Sequence, residues 1–183
     1  QVSFKGTYKL EINGIESNEF EIENNPNGIQ VITNKKVYEG NEGVLIELFN
    51  YSQNKIYLPE KCSSDLDVTV LKKIDGEFTP VEIGGQYGGI ICTSPNDNTV
   101  HRYEVDLKSS KQVFNWSTVV ESSSVVYDED GNEIEDAGIY KVRVKYSSEF
   151  EVTGTDTYDN EIGKPVPPFM EVESNEFEIL GGE

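Results

Sequence analysis

The stretch "YDEDGNEIEDAG" at Tyr127–Gly138 sets oxygen-bearing side chains at a spacing that could hold calcium. Asp128, Asp130 and Asn132 fall on the first, third and fifth positions of a calcium loop, whose ligands are hard oxygens. Two positions depart from that template. Glu133 stands where the loop needs glycine, and Ile139 where it needs a bidentate glutamate. A plain hairpin turn accounts for the same letters. Calcium is therefore a candidate, and no other cofactor is expected.

Nucleophilic chemistry finds less support. A hydrolytic triad needs a base, and His101 is the one histidine. No Gly-x-Ser-x-Gly elbow accompanies it. With 34 acidic side chains, carboxylate pairs are inevitable and carry no specificity. The expectation is a protein that is not an enzyme. Cys62 and Cys92 are too few for a metal site with one distant histidine. They read as a disulfide of an exported protein or as two separate buried thiols.

Binding chemistry has two candidate places. "GGQYGG" at Gly84–Gly89 lacks the Gly-Lys-Ser/Thr end of a phosphate loop, and would present Tyr87 on backbone open to close approach. "SSEFEVTGTDTYDNEIGKPVPP" reads as the longest irregular segment, and such loops are often functional. Within it Tyr158, flanked by Asp156, Asp159 and Asn160, could meet a sugar or a peptide. The alternative is a β-hairpin extension stiffened by Pro165, Pro167 and Pro168.

The elements that must carry these residues are strands. "YKVRVKY" puts Tyr140, Val142, Val144 and Tyr146 on one face and Lys141, Arg143 and Lys145 on the other. "LDVTV" alternates likewise, while "GVLIELFNYS" is apolar on both faces and reads as a more central strand. Further strands are expected near Ile29–Thr33, Lys55–Leu58, Phe78–Ile83, Val100–Leu107, Ser124–Tyr127 and Met170–Ile179. Asp75-Gly76 is a hairpin signal, and no stretch keeps a 3.6-residue period. Many short strands separated by turns predict an all-β sandwich. Trp116 reads as a core anchor rather than an exposed platform.

The formal net charge of -19 argues against nucleic acid, which is bound by cationic neutralisation. No apolar run is long enough for a membrane helix, so no membrane insertion is expected. Any export leader is expected to have been removed ahead of Gln1.

One repeat organises the chain. "ESNEFEI" occurs at Glu16–Ile22 and again at Glu173–Ile179, each after a related strand, "GTYKLEI" and "GIYKVRV". The strands are 132 positions apart and the ESNEFEI copies 157, so the second connection is 25 residues longer. The first copy turns tightly around Asn13-Gly14. A duplicated module is the simplest account. Residues 1–25 then read as the closing hairpin of a preceding repeat, and 26–183 as one complete module. The hairpin is expected to pack on the body of the chain or, by strand exchange, on a neighbouring chain.

"EDAGIYKVRVKY" at Glu135–Tyr146 resembles strand F of immunoglobulin-like domains, with its Asp-x-Gly-x-Tyr-x-Cys pattern. Asp136, Gly138 and Tyr140 match, and Val142 replaces the cysteine. "ELFNYS", with its Asn-x-Ser end, adds to the likeness. The chain resembles the disulfide-less immunoglobulin-like modules of bacterial secreted and surface proteins. That resemblance implies an immunoglobulin-like antiparallel β-sandwich with an extra N-terminal β-hairpin, outside the cell or at its surface, with the periplasm as the alternative. It implies a binding or spacer module that recognises protein or carbohydrate through its loops. A proteinase inhibitor of the same fold is the second expectation. The sequons at Asn50 and Asn115 have no role in a bacterial host.

Overall fold

The computed structural model describes residues 6–8, 11–12, 15–16, 20–22, 28–39, 42–62, 65–84, 104–117 and 125–181. Among these the protein is all-β, without a helix. Four short strands come first: β1 (Gly6–Tyr8), β2 (Glu11–Ile12), β3 (Ile15–Glu16) and β4 (Phe20–Ile22). β1 pairs with β4 and β2 with β3, both antiparallel. Ile12 stands opposite Ile15, and Asn13 and Gly14, expected to form the turn, lie outside the described residues.

The body follows with β5 (Ile29–Thr33), β6 (Val37–Tyr38), β7 (Gly43–Asn50), β8 (Ile56–Tyr57), β9 (Glu60–Cys62) and β10 (Asp65–Leu66). Next come β11 (Val68–Ile74), β12 (Glu77–Gly84), β13 (Glu104–Val105), β14 (Ser109–Ser117), β15 (Val125–Tyr127) and β16 (Glu133–Ile134). Three strands close it: β17 (Gly138–Thr155), β18 (Glu161–Glu173) and β19 (Phe177–Ile179). β11 and β12 meet at Asp75-Gly76, both at positive φ, the backbone that a two-residue hairpin demands.

Two sheets dominate. One has the order β14-β7-β5, with β7 central as its two-sided apolar pattern requires. In the other, β17 lies between β11 on one side and β18 and β19 on the other, and β19 pairs in parallel with β6. Alternate residues of both sheets point inward: Val44, Ile46 and Leu48 from one, Val142, Val144 and Phe177 from the other, all in one buried cluster. The architecture is thus sandwich-like, two layers over one core.

The start of β17 is a corner. The Tyr140 hydroxyl donates to the carbonyl oxygen of Asp136 at 2.5 Å, while its ring is fully buried. Gly138 turns the chain at φ +146, and a Cβ there would lie 3.0 Å from the Lys72 side chain. Lys72 itself is buried, donates to the Glu135 carbonyl and lies over the Tyr140 ring. Burial lowers its pKa, because the charged ammonium has lost water.

The closing strand breaks between β18 and β19, and the ESN of ESNEFEI makes the break. Ser174 bonds Val142 twice: its N–H donates to the carbonyl at 2.8 Å, and its Oγ accepts the N–H at 3.0 Å. Asn175 reaches across the fold, accepting the Thr33 N–H and donating to the Thr33 hydroxyl at 3.1 Å. Thr33 ends β5, where the chain leaves one sheet to enter the other as β6. Phe177 then packs between Tyr38 and Tyr140, with ring centroids 5.8 and 5.9 Å away.

The two copies of the repeat share one register. Gly6, Thr7 and Tyr8 face Ile22, Glu21 and Phe20; Gly138, Ile139 and Tyr140 face Ile179, Glu178 and Phe177. Further along, Glu11 and Ile12 face Glu16 and Ile15, as Arg143 and Val144 face Glu173 and Val172. The 25 extra residues therefore lengthen one hairpin without shifting its pairing.

Candidate binding site

That lengthened hairpin positions the candidate site. β17 leaves the core at Ser147, which is fully buried. Its Oγ donates to the Val166 carbonyl at 2.6 Å and accepts the Glu149 N–H at 2.9 Å, at the point where the register shifts. This bulge redirects the strand pair. The segment expected to be irregular is in fact ribbon: Phe150 pairs with Pro165, Val152 with Gly163, and Thr155 with Glu161. The prolines sit on β18, whose side away from β17 carries no ladder in this stretch among the described residues, so their missing N–H groups leave no bond unmade.

The base of the ribbon is braced. The Phe150 ring lies 4.9 Å, centroid to centroid, from Tyr57 of β8. Gly163 is buried beneath it; a Cβ there would fall onto the Glu151 carbonyl and within 2.7 Å of Phe150. Sequence reasoning missed Phe150 and Gly163, because two bulges interrupt the alternation that would have marked them, and Tyr57, because β8 has two residues and carries no period of its own.

At the tip, Asp156 closes the turn. Its Oδ1 accepts the N–H of Tyr158 at 2.8 Å and of Asn160 at 2.9 Å, and its Oδ2 accepts Asn160 Nδ2 at 2.9 Å. Its own N–H donates to the Asn160 carbonyl, and Asp159 N–H donates to the Asp156 carbonyl. The Asn160 side chain, foremost, holds the Asp156 carboxyl below the ordinary aspartate range. Of the five residues expected to bind, four lie at this tip, and Asp156 and Asn160 thus build the turn. Tyr158 and Asp159 are presented by it, Tyr158 at 84 % exposure. Asp159 takes the left-handed position at φ 63.

The calcium candidates share this geometry. Asp128 Oδ1 accepts the N–H groups of Asp130 and Asn132, and Asn132 Nδ2 reaches both carboxylate oxygens. Gly131, at φ 79, occupies the position that Asp159 has in the other turn. Asp128, Asp130 and Asn132 are together in the β15–β16 hairpin, and N–H donors already occupy the Asp128 carboxylate. Among the described residues no group of three or more His, Cys, Asp or Glu is disposed to hold a metal.

No protein-family model, curated protein or solved structure matches the chain. The site must be read from its own geometry.

Tyr87, Cys92 and His101 lie outside the described residues. Cys62 ends β9, opposite Asp65 of β10. Trp116 stands in β14 opposite Val44 of β7. Asn50, the asparagine of the first sequon, is fully buried. Its Nδ2 donates to the carbonyls of Asn54 and Val105, both at 2.9 Å, and its Oδ1 accepts Ser52 N–H and Oγ–H. The Asn-x-Ser motif is therefore a corner staple, with its amide spent inside the fold.

The outer faces of β17 and β18 carry a charge ladder. Arg143 donates to Glu173 at 2.8 Å, and Lys145 to Asp67 at 3.0 Å. These pairs are partly exposed and contribute little each. They fix which face of the ribbon is wet.

Proposed function

We propose that this chain is a non-enzymatic, immunoglobulin-like module of a secreted or surface protein, binding a protein or carbohydrate through the tip of its long hairpin. Two features support the immunoglobulin-like reading. β5, β7 and β14 form one sheet, while β6 runs parallel to the closing strand β19 in the other. The Tyr140–Asp136 bond has the geometry of the tyrosine corner of such domains.

The observation that carries the binding role is the comparison of the two hairpins. The first needs only Asn13-Gly14 to join Ile12 to Ile15; the second spends Lys145–Glu171 between Val144 and Val172 in the same register. Only the base of that extension serves the core. The remainder raises an exposed tyrosine on a turn whose backbone is already fixed, so little ordering entropy is lost on binding. Tyr158 offers a ring face and a hydroxyl, suited to stacking on a sugar or entering a peptide groove, with the Asp159 carboxylate beside it.

A glycan array and a panel of extracellular proteins, probed with the 183-residue chain, test the reading. Binding should be lost in Tyr158→Ala and weakened in Asp159→Ala. It should persist in Tyr51→Ala, which removes another exposed tyrosine. Equal binding by all three variants would remove the tip from the account. Inhibition of a proteinase is the weaker reading, because cleavage clefts take an extended peptide, and this tip is a closed turn.

A further inference from the structure

The N-terminal hairpin repeats the closing hairpin of the body, and the body shows what such a hairpin needs around it. There, β17 is flanked by β11, β19 runs beside β6, Phe177 is packed between Tyr38 and Tyr140, and Asn175 is bonded to Thr33. None of β6, β11 or Thr33 belongs to the hairpin itself. The positions that are buried there, Tyr140, Val142, Val144, Val172, Phe177 and Ile179, are matched in the first copy by Tyr8, Leu10, Ile12, Ile15, Phe20 and Ile22. All six are apolar or aromatic. Isolated two-stranded hairpins are marginal in water, so a sequence with such a face is built to be covered.

The decisive residue is Asn18. Its counterpart Asn175 holds Thr33, 142 positions away, at the crossing from β5 to β6. Those bonds to Thr33 have no partner within a hairpin alone, and the first copy keeps Ser17 and Asn18 unchanged.

We infer that residues 6–22 close a second body of this same architecture, lying ahead of residue 26 in a longer polypeptide. In that body the hairpin takes the place that β17 and β19 take here, between the counterparts of β6 and β11. Among the described residues of 26–183, β17 and β19 already fill this closing position. A second copy of this chain has the same position filled. The inference is independent of what the ribbon tip binds.

Hydrogen exchange tests it on two samples: the 183-residue chain, and the natural polypeptide extended upstream by the length of 26–137. On extension the amides of residues 6–8 and 20–22 should slow by roughly 100-fold, the scale of a hairpin joining a cooperative unit. Asn18→Ala in the extended chain should reverse most of that slowing, and Asn175→Ala should leave it intact. Full protection already present in the 183-residue chain would overturn the inference. So would protection that rises with protein concentration, which would place the hairpin on a neighbouring copy. No gain on extension, or a natural polypeptide with no such body upstream, would overturn it equally.

Discussion

Val144 and Val172 face each other across the closing hairpin, in the register that Ile12 and Ile15 keep at the N-terminus. From that pair onward the two hairpins diverge: two residues join Ile12 to Ile15, while the other hairpin continues to Asp156. Pairing is retained while length changes, which separates the part of the ribbon that folds the body from the part that projects.

The corner at β17 should be measurable by one atom. Tyr140→Phe removes the hydroxyl that Asp136 accepts and leaves the buried ring in place. A loss of about 1 kcal/mol is expected, or roughly 2–4 °C in Tm. Thermal unfolding checks it; an unchanged Tm would deny the bond its role.

Asn50→Ala should cost more. The substitution leaves the carbonyl of Val105 without its buried donor and frees the turn that Ser52 and Asn54 make. About 2–3 kcal/mol is the expected loss in urea unfolding. A loss below that of Tyr140→Phe would contradict the staple.

Phe177→Ala empties the place between Tyr38 and Tyr140 and should destabilise the body by about 3–5 kcal/mol. Phe20→Ala in the 183-residue chain should change the body's unfolding very little, if the N-terminal hairpin is covered by a different body. Comparable losses from both would show that the two hairpins share one core.

Acid should loosen the two turns. Hydrogen bonds, led by those from Asn132 and Asn160, hold the Asp128 and Asp156 carboxyls below their ordinary value of 3.8. A folded-state pKa below the unfolded value means that stabilisation is complete above the ordinary value, and is lost as pH falls through the lowered one. Carboxyl chemical shifts followed through the acid range should place both midpoints under 3.8, and Asp156→Asn should flatten the dependence at the tip. Midpoints at or above 3.8 would refute it. Calcium should leave the Asp128 shift unmoved, since an ion would have to displace the N–H groups that this carboxylate accepts.

The fold was legible where alternation runs unbroken. "YKVRVKY" became a strand with the expected faces, the β5 and β7 stretches became strands, and Asp75-Gly76 became a hairpin. "LDVTV" was instead divided at Asp67, with Leu66 ending β10 and Val68 opening β11, whose burial does not alternate. β14 was not foreseen, because a bulge between Gln112 and Phe114 breaks its period. The ribbon looked irregular for the same reason, with shifts after Ser147 and Val152 and three prolines on one strand. At the site, the cluster 156–160 could be seen in the sequence. Its division into turn-makers and presented residues could not, because aspartate and asparagine serve both purposes with the same atoms. β6 is only Val37–Tyr38, too short to carry a period of its own.

The most direct measurement removes the tip of the ribbon and keeps its base. Replacing Asp156–Asn160 with Asn-Gly joins the opposed residues Thr155 and Glu161 by a two-residue turn. The shortened chain and the full chain are then compared on the same glycan and protein arrays, with circular dichroism to follow the fold. The account predicts a folded body that has lost every interaction made by the full chain. A folded body that binds the same partners as before would contradict it.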